Sequence, residues 1–334
     1  MRILFAGDDW YGSNARSFAD GFRRAGHDVT VVDTTAVTLP RRGTPAWWYA
    51  KATGRRWPAD VAAAHRRIEE AAGTSRPDLL FCYTAVHLDQ ERLLSVPAAR
   101  RVHYSADDVA NPVNTTPAYL AAEAGWDAIV TTKAHNVSEL QARGARRVVL
   151  VPCAYDPAWH RPVAPRSARR YAAGFVGNAR PDRADLLTGL AREMGGRFYL
   201  AGNGWRRRPA LRGSGATVRG PQYGTDLSAA IGAIGANLVL LNSDNRDTHT
   251  CRSYEVPAAG GLFVGPRTAD HEALLADGRE ALLFDGPAEL REIVARVEAD
   301  PDAAARIAAR GHAAITGGRN TYEDRAKEIV DALS

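Results

Sequence analysis

Short apolar runs alternate with helix-like stretches along this chain, and they fall into two series separated by a proline-rich interval. The first series is Ile3–Ala6, Val29–Val32, Leu79–Tyr83, Arg101–Tyr104, Ala128–Thr131 and Val148–Val151, with helical stretches such as Ala15–Ala25 and Ala59–Ala72 between them. The second begins at Ala173 and continues with Phe198–Ala201, Thr217–Arg219, Ala236–Leu241, Leu262–Val264 and Ala281–Phe284, with helices at Arg183–Met194 and Ala288–Ala299. Continuous apolar runs mark strands buried on both faces, and strand–helix alternation is the pattern of a parallel sheet covered by helices. Between the series, Tyr155 to Ser167 is rich in proline and has no period, so it reads as a linker.

The predicted fold is therefore α/β, with two Rossmann-like domains facing a central cleft. The expected bounds are residues 1–158, 165–318, and a closing segment 319–334 whose amphipathic helix Tyr322–Leu333 crosses back to the first domain. A chain of 334 residues exceeds one ordinary core, which agrees with two domains. Open sheets of this kind bind ligands beyond the carboxyl ends of their strands. No run of about eighteen apolar residues suggests a membrane span. The start, Met1 to Asp9, has too short an apolar stretch before its acids to read as a signal peptide. Cys82, Cys153 and Cys251 are isolated, without zinc spacing, so reduced thiols and a cytoplasmic setting are expected. The net charge of +5 suits an anionic ligand. No zinc finger, RNP-type aromatic motif or long basic helix points to nucleic acid.

The stretch Asp247-Thr-His-Thr-Cys-Arg-Ser-Tyr-Glu255-Val-Pro-Ala-Ala-Gly-Gly261 carries the sharpest chemistry. Two acids flank seven residues that include Arg252 and Ser253. Arg252 falls near a predicted helix start, where unpaired N–H groups and the helix dipole attract phosphate. A guanidinium there adds a two-pronged grip. Glu255, one turn inside, can accept hydrogen bonds from a ribose diol. Supporting positions lie at other strand ends: Gly177, Asn178 and Arg180 after Val176, with Arg183 beyond, and Asn242 and Ser243 after Leu241. Tyr223, ahead of another helix, can frame a base or be a surface turn. The turn Ala201-Gly-Asn-Gly-Trp205 backs the site at most indirectly.

Arg252-Ser-Tyr-Glu-Val-Pro-Ala-Ala-Gly-Gly resembles the signature of CgeB-like glycosyltransferases, a branch of the retaining nucleotide-sugar enzymes with the GT-B fold. The resemblance implies that Glu255 holds the donor ribose, Asp247 the donor sugar and Arg252 the diphosphate. Ser253 and Tyr254 fall within the same donor segment. The larger group normally has glutamate at both acidic positions, and here the first is the shorter Asp247. A UDP- or GDP-sugar donor, hexosyl transfer, retention, and catalysis with neither metal nor cofactor are the implied properties.

The same resemblance makes the first domain the acceptor side. Asp8, Asp9 and Trp10 follow its first strand; the acids either bind an acceptor hydroxyl or amine or cap the next helix, as Ser13 and Asn14 also can. His87 follows the third strand and is either a base or a satisfied core histidine. Asp107 and Asp108 follow the fourth, where a carboxylate can orient the acceptor, act as base, or bind a divalent ion. The stretch Pro40–Pro58 holds Trp47, Trp48, Tyr49 and Trp57 among five basic residues. It reads as a lid over the acceptor, a peripheral membrane contact, or a packed satellite cluster. Rival classes are a nucleotide-sugar epimerase, a non-catalytic nucleotide-sugar binder, and an NAD(P) oxidoreductase. The last is disfavoured because no G-x-G-x-x-G follows a strand.

Overall fold

The structure is a computed structural model and describes residues 1–163 and 169–334; the part of the expected linker over 164–168 lies outside the described residues. The chain divides into two compact units, Met1–Pro152 with Tyr322–Ser334, and Cys153–Thr321. The first unit contains β1 (Arg2–Gly7), β2 (Asp28–Asp33), β3 (Leu79–Tyr83), β4 (Arg100–Ser105), β5 (Ala128–Thr131) and β6 (Val148–Leu150). They form one sheet in the order β2-β1-β3-β4-β5-β6, parallel throughout. The order reverses between β1 and β3. That reversal sends successive crossover helices to opposite faces and leaves a crevice at the carboxyl ends of those two strands.

The core explains why the apolar runs become strands. Phe5 of β1 and Phe81 of β3 stack at 5.3 Å, and Phe18 and Phe22 of the helix Asn14–Arg24 close over Phe81 at 5.6 and 5.1 Å. The final helix Tyr322–Leu333 joins this unit by packing on Asn14–Arg24. Gly21 makes the approach possible, since a Cβ there would lie 2.5 Å from the Tyr322 carbonyl oxygen. The Tyr322 ring then meets Phe18 at 5.3 Å.

The second unit contains β7 (Tyr171–Val176), β8 (Phe198–Ala201), β9 (Thr217–Arg219), β10 (Ile234–Leu238), β11 (Leu262–Pro266) and β12 (Leu282–Phe284). Its sheet, also parallel throughout, runs β12-β11-β10-β7-β8-β9 and reverses between β7 and β10. This is the doubly wound order of a dinucleotide-binding sheet.

Three local expectations are corrected. Residues 153–158, assigned to the first domain, belong to the second unit, because Cys153 and Tyr155 are buried in its core and Tyr155 bridges to Thr321. Residues 319–321 join the second unit for the same reason. The fourth strand of the second series begins earlier than Ala236 and ends at Leu238. Gly235 lies close against the Ala172 carbonyl, and the chain leaves the sheet after Val239 to build the loop Asn242–Asp247. Within Pro40–Pro58 a helix, Pro45–Thr53, forms between the Thr44 cap and Gly54 at φ +70°. No helix among the described residues is long and apolar enough to cross a membrane.

Candidate functional site

Each unit has a constellation at the carboxyl ends of the strands where its sheet order reverses. In the second unit β7 ends at Val176 and turns at Gly177. A Cβ at Gly177 would strike the Phe175 ring at 2.6 Å. Behind it, Gly202 adopts φ +143° with its Cα so close that a Cβ would sit 2.0 Å from the Gly177 carbonyl oxygen, so only glycine fits. Trp205, fully buried, donates its indole N–H to that carbonyl at 2.7 Å, and Asn178 accepts from the Asn203 backbone at 3.1 Å. The turn Ala201–Trp205 thus braces the Gly177 loop from beneath.

The helix Pro181–Met194 follows. In its first turn Asp182 accepts from both the backbone N–H and the hydroxyl of Ser243 at 3.0 Å. Burial pushes the Asp182 carboxyl up, but the Ser243 bonds and the Arg183 charge outweigh it and hold the group below the usual carboxylate range. Arg183 is buried, donates to the Leu241 carbonyl at 3.2 Å and bonds the Asn242 side chain. Arg180 pairs with Asp244 at 3.0 Å. Asp247 accepts from the Asn242 backbone N–H at 3.2 Å, folding its carboxylate onto its own loop.

The helix Cys251–Ala258 comes next. Thr250 and Ser253 form a reciprocal capping box. The Ser253 hydroxyl accepts from the Thr250 N–H at 3.1 Å and meets His271 Nε2 at 2.9 Å, while His271 Nδ1 reaches the Pro266 carbonyl at 2.8 Å. Ser253 and Tyr254, expected as donor contacts, are buried, and the Ser253 hydroxyl orders the helix start from inside. Arg252 donates from Nε to the Val176 carbonyl at 3.3 Å and pairs through its other arm with Glu255 Oε2. Glu255 is only 2 % exposed. Its Oε1 faces His160 Nε2 at 3.6 Å. His160 Nδ1 accepts from the Asp156 N–H at 3.0 Å, so the ring proton sits on Nε2 and points at the carboxylate. Burial depresses the His160 pKa, which keeps it neutral. His160 lies in the proline-rich stretch read as linker, and nothing in the sequence marks it as Glu255's neighbour. Tyr223 is exposed beyond the end of β9 and caps the helix Gly224–Gly232.

In the first unit a cavity of about 220 Å³ opens at the ends of β1, β3 and β4. It is lined by Asp8, His87 and Asp107 of the expected residues, and by Thr38, Arg56 and Thr84. Thr84 adopts φ +53°, unusual for a β-branched residue, with its N–H bonded to the Tyr104 carbonyl at 2.9 Å. Asp8 accepts from the Thr38 hydroxyl, and burial raises its pKa. Arg56 donates to His87 Nε2 at 3.0 Å. Burial, and then the Arg56 charge, lower the His87 pKa to about 4. Asp9 stands outside the cavity lining, its carboxylate 3.7 Å from Arg16, and Trp10 also falls outside it. Asp108 is buried and bonds Asn136 at 2.8 Å and the Ala110 N–H at 2.9 Å, which shapes the loop after β4. Trp47 and Trp48 meet edge to face at 4.5 Å beneath Lys51 and do not line the cavity. Among the described residues no group of three His, Cys, Asp or Glu is placed to hold a metal ion.

Residues 180–331 match a family model described as glycosyl transferase-like. No curated protein sequence matches significantly. Solved structures match over almost the whole chain. Sucrose-phosphate synthase from Thermosynechococcus elongatus has a TM-score of 0.71 at 13% identity, covering 99% of this chain and 98% of that one. HepE from Anabaena, solved with UDP-glucose, has a TM-score of 0.64 at 14% identity, covering 99% and 100%. AviGT4, a glycosyltransferase involved in avilamycin A biosynthesis, has a TM-score of 0.54 at 17% identity, covering 99% and 96%. At these identities the likeness is one of fold, and it is that of the GT-B glycosyltransferases. The chain has the GT-B fold, and its residues 180–331 are similar to the glycosyl transferase-like family.

Proposed function

We propose that the protein is a glycosyltransferase of the CgeB-like branch that moves a hexose from a nucleoside diphosphate sugar to a hydroxyl or amine acceptor, with retention and without a metal. The observation that carries the reading is the Arg252–Glu255 pair at the end of β7, inside the family-matched stretch. On donor binding, Glu255 exchanges its internal partner for the ribose hydroxyls, and Arg252 turns to the diphosphate. That exchange replaces one buried ion pair by two charge-assisted contacts. Arg252, with Arg180 and the N–H groups at the Gly177 turn and helix start, stabilises the charge that grows on the leaving diphosphate. Asp247 contacts the donor sugar. The departing phosphate takes the acceptor proton, so no separate base is required. In the first unit, Asp8, His87 and Asp107 orient the acceptor. A complex of UDP-glucose with HepE, a protein of similar fold, makes UDP-glucose the natural first donor to try.

The test follows product formation from UDP- and GDP-sugars by mass spectrometry, with sugar and amino-sugar acceptors added. A glycosylated acceptor supports the reading. Isomerised donor without transfer favours an epimerase. Tight nucleotide-sugar binding without any turnover favours a non-catalytic binder.

A further inference from the structure

The first unit's cavity contains a guanidinium without a counterion. Arg56 is held between two helices: it follows Gly54, which ends Pro45–Thr53, and precedes Pro58, which starts Pro58–Ser75. Its Nε is buried with no hydrogen-bond partner. Its one hydrogen bond is the donation to His87 Nε2 at 3.0 Å. Among the described residues no carboxylate pairs with Arg56. Elsewhere in the molecule the partly or wholly buried arginines Arg143, Arg183, Arg252 and Arg325 each sit against an acid.

Placing a cation away from water is unfavourable unless an opposite charge or a full set of acceptors compensates it. His87 cannot compensate, because it offers one neutral lone pair. It instead fixes the guanidinium plane, leaving the Nε edge without a partner. A guanidinium that lines the cavity with its charge uncompensated fits an oxyanion. The two acids of the cavity do not fill the role: Asp8 is tied to Thr38, and neither Asp8 nor Asp107 pairs with Arg56. A volume of about 220 Å³ falls below the roughly 300–1,000 Å³ of a whole small-molecule site, so it suits one sugar-sized, charged moiety.

We propose that this cavity receives a carboxylate or phosphate group carried by the acceptor, and that Arg56, oriented by His87, selects acceptors bearing that group. The proposal rests on the reading of the first unit as the acceptor side. It goes beyond that reading by requiring an anionic acceptor rather than any hydroxyl or amine.

The experiment compares matched probes by calorimetry on the full chain: glycerol 3-phosphate against glycerol, and glucuronate against glucose. Vesicles of phosphatidylcholine with and without phosphatidic acid show whether a phosphate is taken in free or lipid-borne form. Each anionic probe that binds should bind better than its neutral partner. Arg56→Gln should weaken that binding by about tenfold, the loss of one charge-assisted pair. Arg56→Lys, which keeps charge but loses the fork, should fall between and serves if the glutamine variant does not fold. UDP titration of the same variants should match the wild type. Absence of any preference for anionic probes, or equal anion binding by both variants and the wild type, overturns the proposal. If UDP binds none of the proteins, the donor reading fails, and the probe comparison still decides the role of Arg56.

Discussion

The Arg252–Glu255 pair predicts an asymmetry in stability. Glu255 is 2 % exposed, whereas the Arg252 side chain is 29 % exposed. Arg252→Ala therefore strands a carboxylate out of reach of water, with the neutral His160 Nε2 at 3.6 Å from its Oε1. Glu255→Gln strands a guanidinium that still reaches solvent, and the amide keeps an oxygen for it to donate to. Breaking a fully buried pair by removing one member costs about 3–5 kcal/mol. Partial exposure of the pair puts Arg252→Ala at the low end, about 3 kcal/mol, and Glu255→Gln near 1 kcal/mol. A unit of this size shifts by about 2–4 °C in Tm per kcal/mol, so scanning calorimetry should show losses of about 6–12 °C and about 2–4 °C respectively. Arg252→Met, which restores the apolar stem packing, should recover little, because the defect is the stranded charge. Equal shifts in the two variants, or a larger loss for Glu255→Gln, would refute the assignment of Glu255 as a carboxylate held in place by Arg252.

Three further outcomes follow from the geometry. Gly202→Ala should destabilise the second unit by roughly 3 kcal/mol or more, because a Cβ 2.0 Å from the Gly177 carbonyl oxygen displaces the turn; the check is a lower Tm together with weaker nucleotide binding. Asp247→Asn should lower turnover more than UDP affinity, since its proposed contact is to the sugar; equal UDP and UDP-glucose affinities with unchanged kcat would remove it from the site. His103 is fully buried, and burial lowers its pKa to about 3. Its fold is thus built around the neutral ring. The unfolded chain takes up a proton near pH 6.5 but the folded protein only near pH 3, so stability is intact above about pH 6.5 and declines as pH falls through that window, by up to about 5 kcal/mol in all. His103→Phe should flatten this decline in denaturation measured between about pH 7 and 4; an unchanged slope would show that other groups control it.

The strands were readable because parallel strands buried on both faces must be apolar throughout, as Leu79–Tyr83 and Phe198–Ala201 are. The helix Pro301–Gly317 was not, since its buried face is Ala304, Ala308, Gly311 and Ile315. Small residues leave no apolar stripe, yet Gly311 is what lets the helix meet the Glu280 carbonyl, where a Cβ would lie 2.2 Å away. In the segment Asp247–Gly261, Arg252 and Glu255 stood out by residue type and spacing. The inward role of Ser253 did not, because it depends on His271, which arrives from beyond β11. Likewise Thr38, Arg56 and His160 reach their sites only through packing between distant segments, a relation that no local period encodes.

Calorimetric titration of UDP into the wild type and into Glu255→Gln tests the central claim most directly. The account predicts saturable binding to the wild type and about tenfold weaker binding to the variant, the loss of charge from the ribose contacts. No binding of any nucleoside diphosphate to the wild type, or undiminished binding to the folded variant, would contradict it.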